Sequence, residues 1–193
     1  MAIVDIFKTP IFHFNFPNLD DIRKEMIDYA LQKEKENEGV VISNQGGFQS
    51  VDMREEFTPF KKLCERVLPS CVEEVKKTYS YNIKSFTPQN CWLNINRKKD
   101  YNVHHCHNNC DFSAVWYLKV PENSGRLVFD NPDYTSGLWT LESEYNPYSR
   151  GRAYVMPKEN LLVIFKSHLV HFVEPNLSDD PRISLAFNFR VNQ

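Results

Sequence analysis

The sequence lacks any long apolar run, since nowhere does it reach the roughly 18 consecutive apolar residues that a membrane-spanning helix needs. It also lacks a strong charge of one sign, because 23 basic and 25 acidic residues leave a net charge of −2. The sequence therefore gives no strong indication of a nucleic-acid or acidic-membrane partner. Its beginning lacks the basic and apolar regions of a signal peptide, and we expect a cytoplasmic protein.

A disulfide framework is not expected either. The chain has five cysteines, an odd number, and its 193 residues are enough to bury a full core without covalent links. Cys106 and Cys110 alternate with histidines, but no second Cys-x-x-Cys pair completes a structural zinc site. We expect reduced thiols that line a pocket.

Hydrophobic periodicity divides the chain into a helical first part and a β-rich second part. Apolar residues recur at helical spacing over 18–38 and 56–79, with Asn18 as the predicted N-cap, Gly39 as the end of the first helix and Pro69 kinking or dividing the second. From about Ser85 the period becomes two. The predicted strands are 91–96, 112–120, 126–129, 153–156, 161–165, 169–174 and 182–191.

This order of elements predicts an α+β fold, a β-sandwich buttressed by N-terminal helices. We expect a single domain over 1–193, in which 1–84 forms a strand and helical support and 85–193 forms the β core. An insertion at 131–152 interrupts the strands. It is rich in aromatic residues and is predicted to be a loop that covers the substrate, with Tyr134, Trp139, Tyr145 and Tyr148 as its wall.

The stretch Tyr101–Tyr117 holds three of the six histidines within four positions. On a strand, residues i and i+2 point to the same side, so His105 and His107 would share one face while His104 and Cys106 share the other. Two imidazoles on one face form a platform for a metal ion, and His171, in a later predicted strand, is the best third ligand. Three imidazoles with open positions suit Fe(II), Zn, Cu or Ni and indicate a catalytic site. His168 would point away from it.

Eleven residues after His171, Arg182 opens a predicted inward-facing strand that also carries Ser184. A buried guanidinium costs several kcal/mol unless it meets an anion, and its planar fork suits a carboxylate. The serine hydroxyl would donate to the same anion. Arginine and serine together therefore predict a pocket for the carboxylate of a small acid.

These segments resemble the 2-oxoglutarate- and Fe(II)-dependent oxygenases, and in particular a small bacterial and phage group that is similar to prolyl hydroxylases. The resemblance rests on the segments 43–50, 92–96, 101–117, 171–176 and 182–188, and it spans most of the chain from residue 40 onward. No single segment is specific, but together they are. The resemblance implies a double-stranded β-helix, with a jelly-roll or cupin-like core.

The resemblance also implies roles for individual residues. Fe(II) would be held by His105, His107 and His171, and 2-oxoglutarate and O₂ would take the open positions. Arg182 would bind the distal carboxylate of 2-oxoglutarate with help from Ser184. Tyr117 would donate its hydroxyl to that carboxylate, and Asn94 or Asn96 would reach the co-substrate or the residues around it. The implied reaction is hydroxylation of an unidentified primary substrate, with succinate and CO₂ as co-products.

The chain departs from the resemblance at one ligand. Most members of the superfamily have a carboxylate where this chain has His107, and the nearby Asp111 is the alternative third ligand. Same-side geometry favours His107. Two other functions stay open: a cupin-type metal-dependent enzyme, and a non-catalytic jelly-roll binding module. The oligomeric state, a homodimer included, is also open.

Overall fold

The protein is built from two antiparallel β-sheets and two helices. The computed structural model describes residues 8–55, 57–132 and 151–193. Its strands are β1 (Phe12–Asn15), β2 (Asn44–Gln45), β3 (Phe48–Gln49), β4 (Ser85–Asn96), β5 (Tyr101–His105), β6 (Phe112–Lys119), β7 (Leu127–Asp130), β8 (Arg152–Val155), β9 (Leu161–Lys166), β10 (His171–Val173) and β11 (Arg182–Asn192). The predicted two-layer β arrangement is confirmed.

The two sheets differ in size and in their neighbours. The larger sheet has six strands in the order β1-β9-β6-β11-β4-β3, and the smaller has five in the order β2-β5-β10-β7-β8. Strand β4 contributes alternately to two environments: Leu93 and Ile95 lie in the core beneath the helices, while Asn94 and Asn96 line a cavity. This alternation follows from the period of two in a pleated strand.

Helices α1 (Asp20–Glu36) and α2 (Thr58–Tyr79) cover the outer side of the six-stranded sheet. Helix α2 buries one face against β11, where the rings of Phe60 and Phe187 lie 5.3 Å apart between centroids. It runs as one helix through Pro69, so of the two predicted effects of this proline the division does not occur and the kink stays a prediction. The predicted ends of α1 are also wrong, because Leu19 takes the N-cap position without a side-chain hydrogen bond and the helix stops at Glu36.

A tight corner, formed by Gly46 and Gly47 between β2 and β3, connects the two sheets. Strand β2 pairs with β5 in the smaller sheet, and β3, two residues later, pairs with β4 in the larger one. Gly46 adopts a φ of +84°, which favours glycine, and a Cβ on Gly47 would collide with the carbonyl oxygen of Ile95. The segment predicted as a support therefore also supplies short strands to both sheets.

A second core lies between the sheets. It contains Tyr117 and Phe165 from the larger sheet and Leu127 and Phe129 from the smaller one. This core fills only part of the space between the layers. The remainder is a cavity whose walls combine polar and apolar side chains, and the predicted site residues are among them.

Candidate active site

Three imidazoles meet at one end of the cavity. His105 ends β5, His171 begins β10, and the two lie opposite each other in the antiparallel ladder. One ring nitrogen from each of His105, His107 and His171 lies within 4.8 Å of the others. The ring centroids are 4.3 Å apart for His105 and His171, 5.0 Å for His105 and His107, and 5.2 Å for His107 and His171. The structure thus brings together the three predicted ligands.

The route by which His107 joins this group differs from the one predicted. Strand β5 ends at His105, so strand alternation does not extend to His107. Instead, its backbone N–H donates to the carbonyl oxygen of Ser167 at 2.9 Å, which holds this segment beside the turn before β10. The juxtaposition was predicted, but its cause is a loop contact rather than a shared strand face.

Hydrogen bonds and burial set the chemical state of the imidazoles. Nδ1 of His105 donates to the carbonyl of Val103 at 2.7 Å, and Nδ1 of His171 donates to that of Leu169 at 2.8 Å. These bonds leave Nε2 of both rings free to bind a metal. Burial lowers the pKa of His107 to about 4 and that of His171 to about 3, and it also lowers the pKa of His105. All three are therefore neutral at pH 7, as metal ligands must be.

The alternative ligand Asp111 has another partner. Its Oδ2 accepts the backbone N–H of Val191 at 2.8 Å, at the far end of β11. His168 lies exposed in the turn after β9. His104 points to the outer side of the smaller sheet, where its ring lies 4.1 Å from that of Phe172. The geometry favours His107 over Asp111 and leaves His104 and His168 outside the group.

The cysteines near the histidines do not line the cavity in the described part of the chain. Cys106 is exposed and Cys110 is half-buried, and both are free thiols. Their expected place in the wall of this cavity is therefore wrong, and their reduced state stays a prediction.

A buried arginine lies at the other end of the cavity. Arg182, only 2% exposed, donates from Nη1 to the carbonyl oxygens of Ser124 and Glu174, the latter at 3.3 Å. Its Nη2 is buried without an acceptor among the residues that the structure describes. Burial lowers the pKa of Arg182 to about 10, so the guanidinium stays charged at pH 7. A charged donor group that lacks an acceptor is suited to a carboxylate.

The other predicted co-substrate residues surround this arginine. Ser184 pairs across the sheet with Asn94 on β4 and with Tyr117 on β6, and all three line the cavity. Burial raises the pKa of Tyr117 to about 12, so its phenol keeps the proton that it can donate.

Further cavity residues lie between the two ends. Trp92 contacts the metal end, with its ring 5.5 Å from that of His107, and Asn96 lies beside Arg182 in the ladder. Both share a strand face with Asn94. Asn96 was predicted as the alternative to Asn94, and the period of two could have assigned Trp92 to the wall as well. Asn102 could not be assigned in this way. A register shift between β5 and β10 turns Asn102 and His105, three residues apart, to the same cavity.

These residues fit the groups that such a cavity would hold. Neutral imidazoles are ligands that Fe(II) accepts. The buried guanidinium provides the charge and the free N–H group that the carboxylate of a 2-oxo acid requires. Most of the predicted covering loop, including Tyr134, Trp139, Tyr145 and Tyr148, falls within 133–150 and lies outside the described residues.

Solved structures with the same fold confirm the predicted double-stranded β-helix. A Pseudomonas putida prolyl-4-hydroxylase is 16% identical, covers 96% of this chain and 94% of its own, and gives a TM-score of 0.65. A collagen prolyl hydroxylase of Paramecium bursaria Chlorella virus-1, bound to 2-oxoglutarate, is 15% identical, with coverages of 94% and 96% and a TM-score of 0.60. The α-ketoglutarate-dependent epimerase SnoN of nogalamycin biosynthesis is 15% identical, with coverages of 94% and 76% and a TM-score of 0.68.

The fold and the two-ended cavity define the class of 2-oxoglutarate- and Fe(II)-dependent oxygenases. The family described as "Putative 2OG-Fe(II) oxygenase" matches residues 90–188, just over half of the chain, and the chain belongs to this family. Its metal is Fe(II), its co-substrate is 2-oxoglutarate and its oxidant is O₂. No curated protein matches the chain. Neither helix in the described residues is long and apolar enough to cross a membrane.

Proposed function

We propose that the protein is an oxygenase that hydroxylates an unidentified primary substrate. The observation that carries this proposal is the pairing, in one cavity, of three neutral imidazoles with a buried arginine whose Nη2 lacks an acceptor among the described residues. The balanced reaction consumes the substrate, 2-oxoglutarate and O₂. One oxygen atom enters the new hydroxyl group, the other enters succinate, and CO₂ is released.

In this proposal His105, His107 and His171 hold Fe(II) through neutral ring nitrogens. When bound, the metal supplies the activation of O₂ that is coupled to decarboxylation of 2-oxoglutarate. The chain itself orients the metal ligands. The carbonyls of Val103 and Leu169 fix two of the rings, so the histidines need little rearrangement on binding.

Arg182 binds the distal carboxylate of 2-oxoglutarate, and Ser184, Tyr117 and Asn94 add hydrogen bonds. Two backbone carbonyls already hold Nη1 of Arg182, which leaves Nη2 as the group that the carboxylate completes. Apolar residues between the two ends, Leu127 and Phe165 among them, limit the access of water. The 2-oxo acid would thereby be held with its other end towards the histidines.

Hydroxylation is the proposed outcome because it is the default reaction of the class, and two of the similar structures are prolyl hydroxylases. A third is an epimerase, so the outcome needs a direct test. A cupin-type metal enzyme with another reaction is the second candidate, favoured by the three-histidine ligand set. A cupin-type reaction gives no reason for the buried Arg182 at the other end of the cavity. We further propose that the chain acts as one domain in the cytoplasm.

Anaerobic titration tests the co-substrate directly. Adding 2-oxoglutarate to the Fe(II)-loaded protein should produce a visible absorbance band, and a cupin-type enzyme or a binding module should give none. Admitting O₂ should then release succinate, and a panel of candidate substrates should raise its rate. An oxygenase assignment could not survive the absence of both the band and succinate. Mass spectrometry of the product, with a gain of one oxygen atom, separates hydroxylation from epimerisation.

A further inference from the structure

Buried amide side chains join the two sheets beside the arginine end of the cavity. Asn44 and Asn102 come from the smaller sheet, and Asn94 and Asn96 come from the larger one. Each is at most 6% exposed. Three of the four line the cavity, and Asn44 is the one that does not. Asn44 therefore touches neither the histidines nor the space proposed for 2-oxoglutarate.

The side chain of Asn44 has all of its strong hydrogen-bonding groups engaged by protein. Its Nδ2 donates to the carbonyl of Phe48 at 3.0 Å and to Oδ1 of Asn94 at 3.4 Å. Its Oδ1 accepts from Nδ2 of Asn96 at 3.1 Å. Since a primary amide has one acceptor oxygen and two N–H donors, these bonds specify which way the amide faces.

The orientation of Asn44 determines what its neighbours present to the cavity. Because Oδ1 of Asn94 faces Asn44, the Nδ2 group of Asn94 is the part left for the cavity, and it has no acceptor among the described residues. Asn96 shows the opposite polarity. Its Nδ2 donates both to Asn44 and, at 3.4 Å, to Oδ1 of Asn102, which leaves Oδ1 of Asn96 for the cavity next to Arg182.

We propose that Asn44 is a positioning residue that fixes the polarity of the co-substrate pocket, so that Asn94 presents an N–H donor to an oxygen of 2-oxoglutarate. This inference rests on the proposed function and extends it to a residue outside the cavity wall. Without Asn44, the amide of Asn94 can turn and place its oxygen against an anionic ligand. Affinity for 2-oxoglutarate then falls although Arg182 and the histidines are intact.

The test is a double-mutant cycle on the Zn(II)-loaded protein, because zinc is redox-inert and allows binding without turnover. Calorimetry gives the Kd of 2-oxoglutarate and, separately, that of Zn(II). Asn44→Ala should raise the Kd of 2-oxoglutarate about tenfold and leave the Kd of Zn(II) unchanged, in line with the loss of one hydrogen bond to a charged group. In an Asn94→Ala background the same substitution should have almost no effect. Additive effects of the two substitutions would overturn the proposal.

Gln49 provides the matched control. Its Oε1 accepts the backbone N–H of Asn44 at 3.3 Å, so it supports the same corner, and although Gln49 lies opposite Asn94 in the β3–β4 ladder, the described hydrogen bonds of its side chain do not include the amide of Asn94. Gln49→Ala should lower thermal stability and leave the Kd of 2-oxoglutarate unchanged. A tenfold rise there would mean that the corner, and not the polarity set by Asn44, controls affinity.

Asn44→Asp provides a second variant of nearly the same shape, for use if the alanine variant does not fold. It removes both Nδ2 donors, so it should weaken 2-oxoglutarate binding at least as much as alanine does, and wild-type affinity would overturn the proposal. The wild-type protein separates the two levels of inference. If Zn(II)-loaded wild type fails to bind 2-oxoglutarate, the proposed function fails. If wild type binds and the Asn44 variants bind equally well, only the role of Asn44 fails.

Discussion

The two ends of the cavity solve opposite electrostatic problems. At the histidine end, burial lowers the pKa of the imidazoles until all three are neutral and ready to bind a cation. At the arginine end, burial lowers the pKa of Arg182 only to about 10, so its charge remains and backbone carbonyls must support it. An imidazole that loses its proton can bind a metal ion, whereas a guanidinium that keeps its proton can bind an anion. A substitution at the arginine end should therefore weaken binding of 2-oxoglutarate without loss of the metal.

Removing a metal ligand should give the largest effect. His171→Ala takes away the most deeply buried imidazole of the group, and we expect loss of both bound iron and succinate production. Metal analysis of the purified variant measures the first effect, and an assay of succinate measures the second. His168→Ala is the matched control, because this exposed histidine lies three residues away and should leave iron content unchanged. Equal iron in wild type and both variants would show that the site is wrongly assigned.

Removing the arginine should affect one end only. Arg182→Ala is expected to raise the Kd of 2-oxoglutarate about 100-fold, since truncating one partner of a buried charge pair costs about 2–5 kcal/mol. Iron content should stay near that of wild type, because the described contacts of Arg182 are with Ser124 and Glu174 and not with the histidines. A variant that loses iron would instead show that Arg182 supports the fold between the two ends.

In the metal-free protein, the folding stability should depend on pH because of the histidine end. His107 and His171 have a folded pKa of about 4 and about 3 against an ordinary value of 6.5. Below pH 6.5 the unfolded chain binds more protons than the folded one, so stability is greatest above pH 6.5 and is lost as pH falls towards 4. The slope is at most about 1.4 kcal/mol per pH unit for each histidine. Denaturant unfolding at several pH values measures it.

The arginine end should not contribute to that slope, because Arg182 and Tyr117 have pKa values of about 10 and about 12. His171→Ala should flatten the dependence between pH 6.5 and 4, since one of the titrating groups is gone. Arg182→Ala should leave it as steep as in wild type. A slope that is unchanged in His171→Ala would mean that other groups titrate in this range.

The sequence predicted the cavity residues on long strands better than those beyond a strand end or at a register shift. Arg182, Ser184 and Asn94 lie on two long strands that pair in regular register at these residues, where a period of two assigns each side chain to a face. His107 was grouped correctly although β5 ends before it, because the loop contact with Ser167 reproduces what the strand would have done. Asn102 escaped prediction, since a register shift moves it to the cavity and single-sequence patterns do not show such shifts.

The smallest expected effects belong to the hydroxyl groups around Arg182, and they sharpen the difference between charge and hydrogen bonding at that end. Tyr117→Phe keeps the ring in the core between the sheets and removes only the hydroxyl group, whose proton a pKa of about 12 keeps in place at neutral pH. We expect the Kd of 2-oxoglutarate to rise about fivefold, and Ser184→Ala to act similarly, because one neutral donor to a carboxylate is worth about 1 kcal/mol. Calorimetry on the Zn(II)-loaded variants measures both. Each effect should be far below that of Arg182→Ala, and a rise approaching 100-fold in Tyr117→Phe would mean that the phenol, rather than the guanidinium, is the principal carboxylate ligand.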